Sequence, residues 1–183
     1  IAGDALEMDL WQLVQTGPSE QLALTSITQP VMLSAGVAVW RVWQQENSVT
    51  PDFMAGHSLG EYSALVCAGA LDFADAVRLV HLRGSYMQEA TPVGSGAMAA
   101  VMGLEAEQIE SLCREAAQSQ VVAPANINAP GQVVVAGDAD AIARVVVLCK
   151  AAGAKRAVPL PVSAPFHCDL MKHAAEHLKA DLA

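Results

Sequence analysis

A chain of 183 residues, 53% apolar and 16% charged, is long enough to bury a sizeable core and too apolar to be disordered. Gly, Pro or a charge interrupts the apolar residues every few positions, so no window approaches the roughly 18 continuous apolar residues of a membrane span, and a soluble, cytoplasmic protein is expected. The formal charge of −9 argues against nucleic-acid binding, which wants clustered Lys and Arg, whereas only Lys150, Lys155 and Arg156 lie close together. Cys67, Cys113, Cys149 and Cys168 show no C-x-x-C spacing and sit in apolar surroundings, which predicts reduced thiols. With no initiator Met, no signal peptide and helix-like sequence at both ends, the chain reads as a fragment of a longer protein.

Thr28-Gln-Pro30 is a helix-start signal, and Val31 to Gln45 carries a broad apolar face that includes Leu33, Val37, Trp40 and Val42. Pro51 to Gly56 reads as a short strand running into Gly56-His57-Ser58-Leu59-Gly60 and then a helix ending near Gly69. A further helix starts at Asp72, whose carboxylate can cap it, and runs to about Ala90. Beyond it Ala97–Gly103 reads as strand, Glu105–Gln118 as helix, Val121–Asn128 and Gln132–Ala136 as strands around Pro130-Gly131, Asp138–Ala152 as helix and Arg156–Val162 as strand. This β-α-β-β-α-β order is that of a ferredoxin-like subdomain, expected over 94–163, with 1–93 and 164–183 as parts of a larger α/β subdomain.

Gly56-His57-Ser58-Leu59-Gly60 carries the sharpest chemical signal, because a nucleophile at a strand-to-helix turn needs neighbours that let the backbone bend and expose Oγ. At a helix start Ser58 sits beside free backbone N–H groups, so the Leu59 N–H can hold a developing oxyanion. The plain alternative is that Ser58 is only an N-cap. A serine nucleophile needs a base, and His167 stands out by following the rigid Pro161-Val-Ser-Ala-Pro165-Phe166 approach; His57 lies too close to Ser58 along the backbone, and His81 falls in a helix. On that helix the stripe of Phe73, Val77 and Val80 continues through Arg83 or Gly84 and then Met87. A guanidinium facing inward needs a carboxylate, either a structural Asp or Glu or that of a ligand. Asn126 and Asn128 either line a cleft or serve the hairpin at Pro130-Gly131.

Ala55-Gly-His-Ser-Leu-Gly-Glu-Tyr-Ser-Ala-Leu-Val-Cys-Ala-Gly69 resembles the active-site segment of malonyl-CoA:acyl carrier protein transacylases of bacterial fatty-acid synthesis. Ala76-Val-Arg-Leu-Val-His-Leu-Arg-Gly84, Asn126-Ile-Asn-Ala-Pro-Gly-Gln-Val-Val-Val-Ala-Gly137 and Leu160-Pro-Val-Ser-Ala-Pro-Phe-His167 fall in the same family's order. The resemblance implies Ser58 as nucleophile, His167 as base, Arg83 as the clamp on the malonyl carboxylate and the Leu59 N–H as one oxyanion donor. His57, Met87, Asn128 and Phe166 are the further substrate-binding candidates. The implied fold is a hydrolase-like α/β core with an inserted ferredoxin-like subdomain and the substrate cleft between them. Two family segments, a Gly- and Gln-rich motif with the second oxyanion donor and one whose carbonyl orients the histidine, are expected before Ile1 and after the C-terminal residue. A backbone carbonyl, rather than Asp138 or Asp140 on the triad template, is thus the expected partner of His167.

The expected reaction is ping-pong transfer of malonyl from malonyl-CoA through malonyl-Ser58 to the phosphopantetheine thiol of acyl carrier protein. No resident cofactor and no metal are called for, and the complete protein is expected to be monomeric. Phe166 should narrow the pocket against an α-methyl branch, and Lys150, Lys155 and Arg156 either dock the acidic carrier or form a solvated face. The rivals are a polyketide synthase acyltransferase domain, a serine thioesterase or hydrolase, and a zinc peptidase, since His173-Ala-Ala-Glu176-His177 matches H-x-x-E-H.

Overall fold

The computed structural model describes residues 1–46, 49–92, 94–162 and 164–182. Val93 and Ser163, at the two expected domain boundaries, lie outside the described residues. The chain is mixed α/β and divides into two compact units, Ile1–Ser85 with the residues from Asp181 onward, and Tyr86–Ala180.

The first unit holds α1 (Ala2–Leu6), α2 (Leu10–Thr16), α3 (Ser19–Leu22), α4 (Thr25–Glu46), α5 (Leu59–Cys67) and most of α6 (Phe73–Glu89). Leu33 and Val37 of α4 and Ala76, Val77 and Val80 of α6 form its core, with Leu59, Tyr62 and Val66 of α5 packed against them. Leu33, Val77 and Val80 are fully buried, each stabilising the unit by about 1.5–3 kcal/mol through the apolar surface removed from water. Asp72 caps α6 as expected, its Oδ1 accepting from the N–H groups of Ala74 at 2.8 Å and Asp75 at 3.2 Å.

Two expectations change here. Helix α4 begins at Thr25 rather than beside Pro30, so the proline sits inside the helix and cannot donate to the carbonyl of Ser26 one turn earlier. That carbonyl is served instead by the His81 ring, whose Nδ1 lies 2.8 Å away. A carbonyl only accepts, so Nδ1 carries the hydrogen. Three residues on, a Cβ at Gly84 would stand 2.5 Å from Ser26 Cα and 2.6 Å from Thr25 O, so only glycine lets α6 approach this turn. The second change is that Pro51–Gly56 forms no strand. A strand needs a neighbour to pair with, and the described residues of this unit contain none. Val42 of the expected apolar face is 58% exposed, while Trp40 stacks on Trp43 at 5.0 Å.

The second unit runs β1 (Gly96–Met102), α7 (Ala106–Ala117), β2 (Val122–Ala129), β3 (Gln132–Asp138), α8 (Ala139–Ala151) and β4 (Arg156–Pro159), then a 3-10 turn at Asp169–Met171 and α9 (Lys172–Asp181), whose last residue falls beyond the unit. The sheet order is β2-β3-β1-β4 and every pairing is antiparallel. Side chains alternate across it. Ala99, Val101, Val133 and Val135 face Ile109, Cys113, Ile142, Val145 and Cys149 of α7 and α8, whereas Met98, Val134 and Ala136 face Leu160, Phe166 and Cys168. Strand β4 is shorter than expected because Pro159 and Pro161 supply no N–H to a ladder.

Candidate active site

The segment before α5 is built around one close approach. A Cβ at Gly56 would lie 1.8 Å from the carbonyl carbon of Gly60, so the chain can fold back over the start of α5 only if residue 56 has no side chain. Ser58 occupies the resulting bend with φ 55 and ψ −113, a conformation that L-residues rarely adopt. Ser58 stands at the N-cap position of α5, but its side chain makes no capping hydrogen bond. The hydroxyl oxygen instead accepts from Nη2 of Arg83 at 3.0 Å. The Leu59 amide, first in α5, is one of the N–H groups at the helix start that lie ahead of the intrahelical bonds.

Arg83 is half-buried, and its surroundings are neutral. Nη1 donates to Gln29 Oε1 at 2.6 Å, Nη2 to Ser58 Oγ, and the guanidinium carbon lies 5.7 Å from the centre of the Tyr62 ring. Among the described residues no carboxylate pairs with it. Burial pushes the Arg83 pKa below its ordinary value, partly offset by Tyr62, and raises that of Tyr62, an effect that Arg83 partly opposes. The result is a charged group held by hydrogen-bond acceptors and a ring, with no anion among the described residues to neutralise it. Such a site suits an anionic ligand bound beside a nucleophile.

Gln29 was not foreseen as part of this site. It is 5% exposed on α4, with Nε2 donating to Thr25 Oγ1 at 3.1 Å. Reading Thr28-Gln-Pro30 as a helix start placed it outside the helix. A helix extended back to Thr25 sets Thr25 and Gln29 at i and i+4 on one face.

The remaining candidates lie elsewhere in the chain. His57 is exposed beside Ser58. In the second unit His167 is exposed in a loop with φ 60, following the buried Ala164 and Pro165 and the half-buried Phe166, ahead of the 3-10 turn. Phe166 packs with Met87, Met171 and Ala174 on one side and with the Met98, Val134 and Ala136 face of the sheet on the other. Asn128 is exposed where the β2–β3 register shifts, in keeping with the hairpin role, and Asp138 receives the Val121 N–H at 2.7 Å. Lys150, Lys155 and Arg156 are all exposed at the end of α8 and the start of β4. The H-x-x-E-H match gains no support: the His173 and His177 rings lie 4.2 Å apart, and among the described residues no group of three His, Cys, Asp or Glu side chains could hold a metal ion. No described helix is long and apolar enough to cross a membrane.

Residues 4–183 match the family model for the acyl transferase domain. The chain is 61% identical over 182 residues to the malonyl CoA-acyl carrier protein transacylase of Escherichia coli K12, covering all of this chain and 59% of that protein, and 49% identical to its namesake in Bacillus subtilis, covering 97% and 56%. It superposes on the acyl carrier protein S-malonyltransferase of Vibrio cholerae with a TM-score of 0.95 at 60% identity, over 99% of this chain and 59% of that one. A similar match, with a TM-score of 0.96 at 58% identity and the same coverage, is to a malonyl-transacylase in complex with its type II polyketide synthase acyl carrier protein. The chain thus spans about three-fifths of the length of these relatives, and it belongs to the acyl transferase domain family.

Proposed function

We propose that this chain is the central catalytic part of a malonyl-CoA:acyl carrier protein transacylase of fatty-acid synthesis. The observation that carries the reading is Arg83, a half-buried cation with neutral partners, one of which is the hydroxyl of Ser58. A thioesterase for neutral acyl groups has no use for an unneutralised guanidinium beside its nucleophile, whereas a malonyl group carries the matching free carboxylate.

In the proposed first half-reaction His167 takes the Ser58 hydroxyl proton as Oγ bonds to the malonyl thioester carbon. The Leu59 N–H and a second donor hold the oxyanion, and the C–S bond breaks as His167 returns the proton to the leaving CoA thiolate. The phosphopantetheine thiol of acyl carrier protein then gives its proton to His167 and attacks malonyl-Ser58, and the reverse steps free the serine. Arg83 holds the carboxylate through two parallel hydrogen bonds, which fixes the thioester carbonyl for attack and selects malonyl over acetyl. His57 and Met87 are proposed to border the acyl site, and Asn128 is retained only as a substrate-binding candidate. No resident cofactor is required. For the architecture we propose a hydrolase-like core carrying Ser58 and Arg83, and a ferredoxin-like subdomain, a reading supported by the antiparallel β2-β3-β1-β4 sheet with its two crossing helices.

Phe166, held between two apolar clusters, is proposed to disfavour an α-methyl branch by about 1–3 kcal/mol; equal turnover of malonyl-CoA and methylmalonyl-CoA overturns this point. The reading as a whole is tested by intact-protein mass after brief mixing of the full-length protein with malonyl-CoA or acetyl-CoA. A malonyl adduct is expected that is absent in Ser58→Ala and is lost or replaced by acetyl in Arg83→Ala. Hydrolysis of the thioester with no adduct on a folded protein would favour the thioesterase.

A further inference from the structure

The Gln29 side chain can perform its task in only one of its two amide orientations. A guanidinium donates and never accepts, so Arg83 requires the carbonyl end, Oε1, and that end lies 2.6 Å from Nη1. The amide oxygen and nitrogen are nearly the same size, so packing alone does not choose between them. Arg83, a donor only, selects the end that faces it, and Thr25 Oγ1, accepting from Nε2 at 3.1 Å, anchors the other end of the amide. A flipped amide would place the NH2 against Arg83, donor against donor, while the Thr25 hydroxyl could turn to donate to the carbonyl, so the penalty of the flip falls on the Arg83 side.

Thr25 is itself fixed by the helix that carries Arg83. The carbonyl of Ser26, freed by Pro30, receives His81 Nδ1–H at 2.8 Å, and the backbone of Thr25 and Ser26 passes so close to Gly84 that a Cβ there would clash at 2.5–2.6 Å. Residues on both sides of Arg83 in α6 therefore grip the first turn of α4. Thr25 on that turn orients Gln29 one turn later, and Gln29 reaches back to the guanidinium. The loop closes through short contacts with named donors and acceptors.

We infer that Thr25 is a positioning residue for carboxylate recognition: its hydroxyl anchors the Nε2 end of the Gln29 amide, which keeps Oε1 on Arg83 and holds the guanidinium with its remaining N–H groups available to the acyl carboxylate. This rests on the proposed malonyl transfer. The role is indirect, because Thr25 acts through Gln29, and it concerns the carboxylate rather than the acyl-transfer step.

The test uses the full-length protein with Thr25→Val, which keeps the shape and removes the acceptor, Thr25→Ser, which restores it, Gln29→Met, and the Thr25→Val/Gln29→Met pair. Thr25→Val is expected to raise KM for malonyl-CoA by about threefold to tenfold with little change in kcat, the loss of one hydrogen bond made equally in ground and transition states. Thr25→Ser should return to the parent value, and acetyl loading relative to malonyl should rise in Thr25→Val by the same factor. The double variant should be no worse than Gln29→Met alone, since the second change removes what Thr25 orients. Additive losses, or an unchanged malonyl-to-acetyl ratio in a Thr25→Val protein that melts like the parent, overturn the relay. If Thr25→Val does not fold, Thr25→Ser and Gln29→Met still decide it: a Thr25→Ser protein that loses malonyl selectivity, or a Gln29→Met protein that keeps it, overturns the inference. A parent protein that takes up no malonyl overturns the functional reading itself, so the two failures are distinguishable.

Discussion

Arg83 and Ser58 are joined directly, Nη2 to Oγ at 3.0 Å, although 25 residues separate them and each sits on its own helix-bearing segment. The guanidinium is divided between Gln29 and the serine, with Tyr62 against one face. A lysine in its place would keep one positive charge but could not serve Gln29, Ser58 and a ligand carboxylate in one planar arrangement. We expect Arg83→Lys to lower kcat/KM for malonyl-CoA by about 10²–10³, or about 3–4 kcal/mol, and acetyl-CoA turnover far less. Steady-state kinetics with both thioesters checks this, and an equal loss for both would mean that Arg83 serves the nucleophile rather than the carboxylate.

The two glycines of Gly56-His57-Ser58-Leu59-Gly60 have different reasons to be there. A Cβ at Gly56 would sit 1.8 Å from backbone, whereas one at Gly60 would meet nothing within 4 Å. Gly56→Ala should therefore disrupt the Ser58 bend and abolish loading. Gly60→Ala should leave Tm unchanged or raise it slightly, alanine being better than glycine in a helix by up to about 1 kcal/mol. Thermal melts of the two variants decide it; a stable, active Gly56→Ala protein would show that the bend forms without the close approach.

Much of this arrangement was readable in the sequence because short-range rules govern it. The Asp72 cap, the boundaries of α6, and the order of β1, α7, β2, β3, α8 and β4 follow from capping residues, periodicity and Pro130-Gly131, all of which act within a few positions. The start of α4 was misplaced because Pro30 is tolerated through His81, a residue remote in sequence whose ring hydrogen bond no local pattern announces. The same error hid Gln29. The expected strand at Pro51–Gly56 was a judgement from hydrophobicity alone, and pairing, which depends on neighbours in space, did not support it. Ser58 was visible from its glycines, but its contact with Arg83 became visible only with the packing of the unit.

His81 carries the cost of that proline. Removing its ring in His81→Ala takes away the donor to the Ser26 carbonyl and should destabilise the protein by about 1–3 kcal/mol. Pro30→Ala gives residue 30 an N–H that can reach the same carbonyl, so the double variant should lose less than the sum of the two single changes. Denaturant melts of the four proteins form the cycle, and strict additivity would remove the link between Pro30 and His81.

Cys113, buried between α7 and the sheet, has its pKa pushed up from an ordinary 9.0 to about 12, mainly by burial, with Cys149 and Glu110 adding and Arg114 opposing. A thiol whose folded value lies above its unfolded one favours the fold while it is neutral. That contribution is complete below pH 9 and is lost as pH rises towards 12. Stability measured by urea melts should hold up to about pH 9 and fall beyond it, and Cys113→Ser should alter the steepness of that fall. Labelling by a thiol reagent at pH 8 should spare Cys113 in the folded protein, and rapid labelling there would contradict the burial.

Lys150, Lys155 and Arg156 form an exposed basic cluster on a chain of formal charge −9, with Lys150 ending α8 and Arg156 opening β4. On an acidic protein such a cluster offers a local patch of opposite sign, and an acidic carrier protein meeting it gains mostly in encounter rate. Reversing the three charges to Glu should raise KM for acyl carrier protein by about tenfold at low salt, leave KM for malonyl-CoA unchanged, and flatten the dependence of carrier turnover on ionic strength. The proposed malonyl-Ser58 half-reaction supplies the internal control, because it needs no carrier. If the triple variant loads malonyl normally and also passes it to the carrier at the parent rate across the salt range, the cluster is a solvated face and the carrier docks elsewhere. If loading itself fails, the substitutions have damaged the fold of the second unit, and the single variants Lys150→Glu and Lys155→Glu then separate charge from structure.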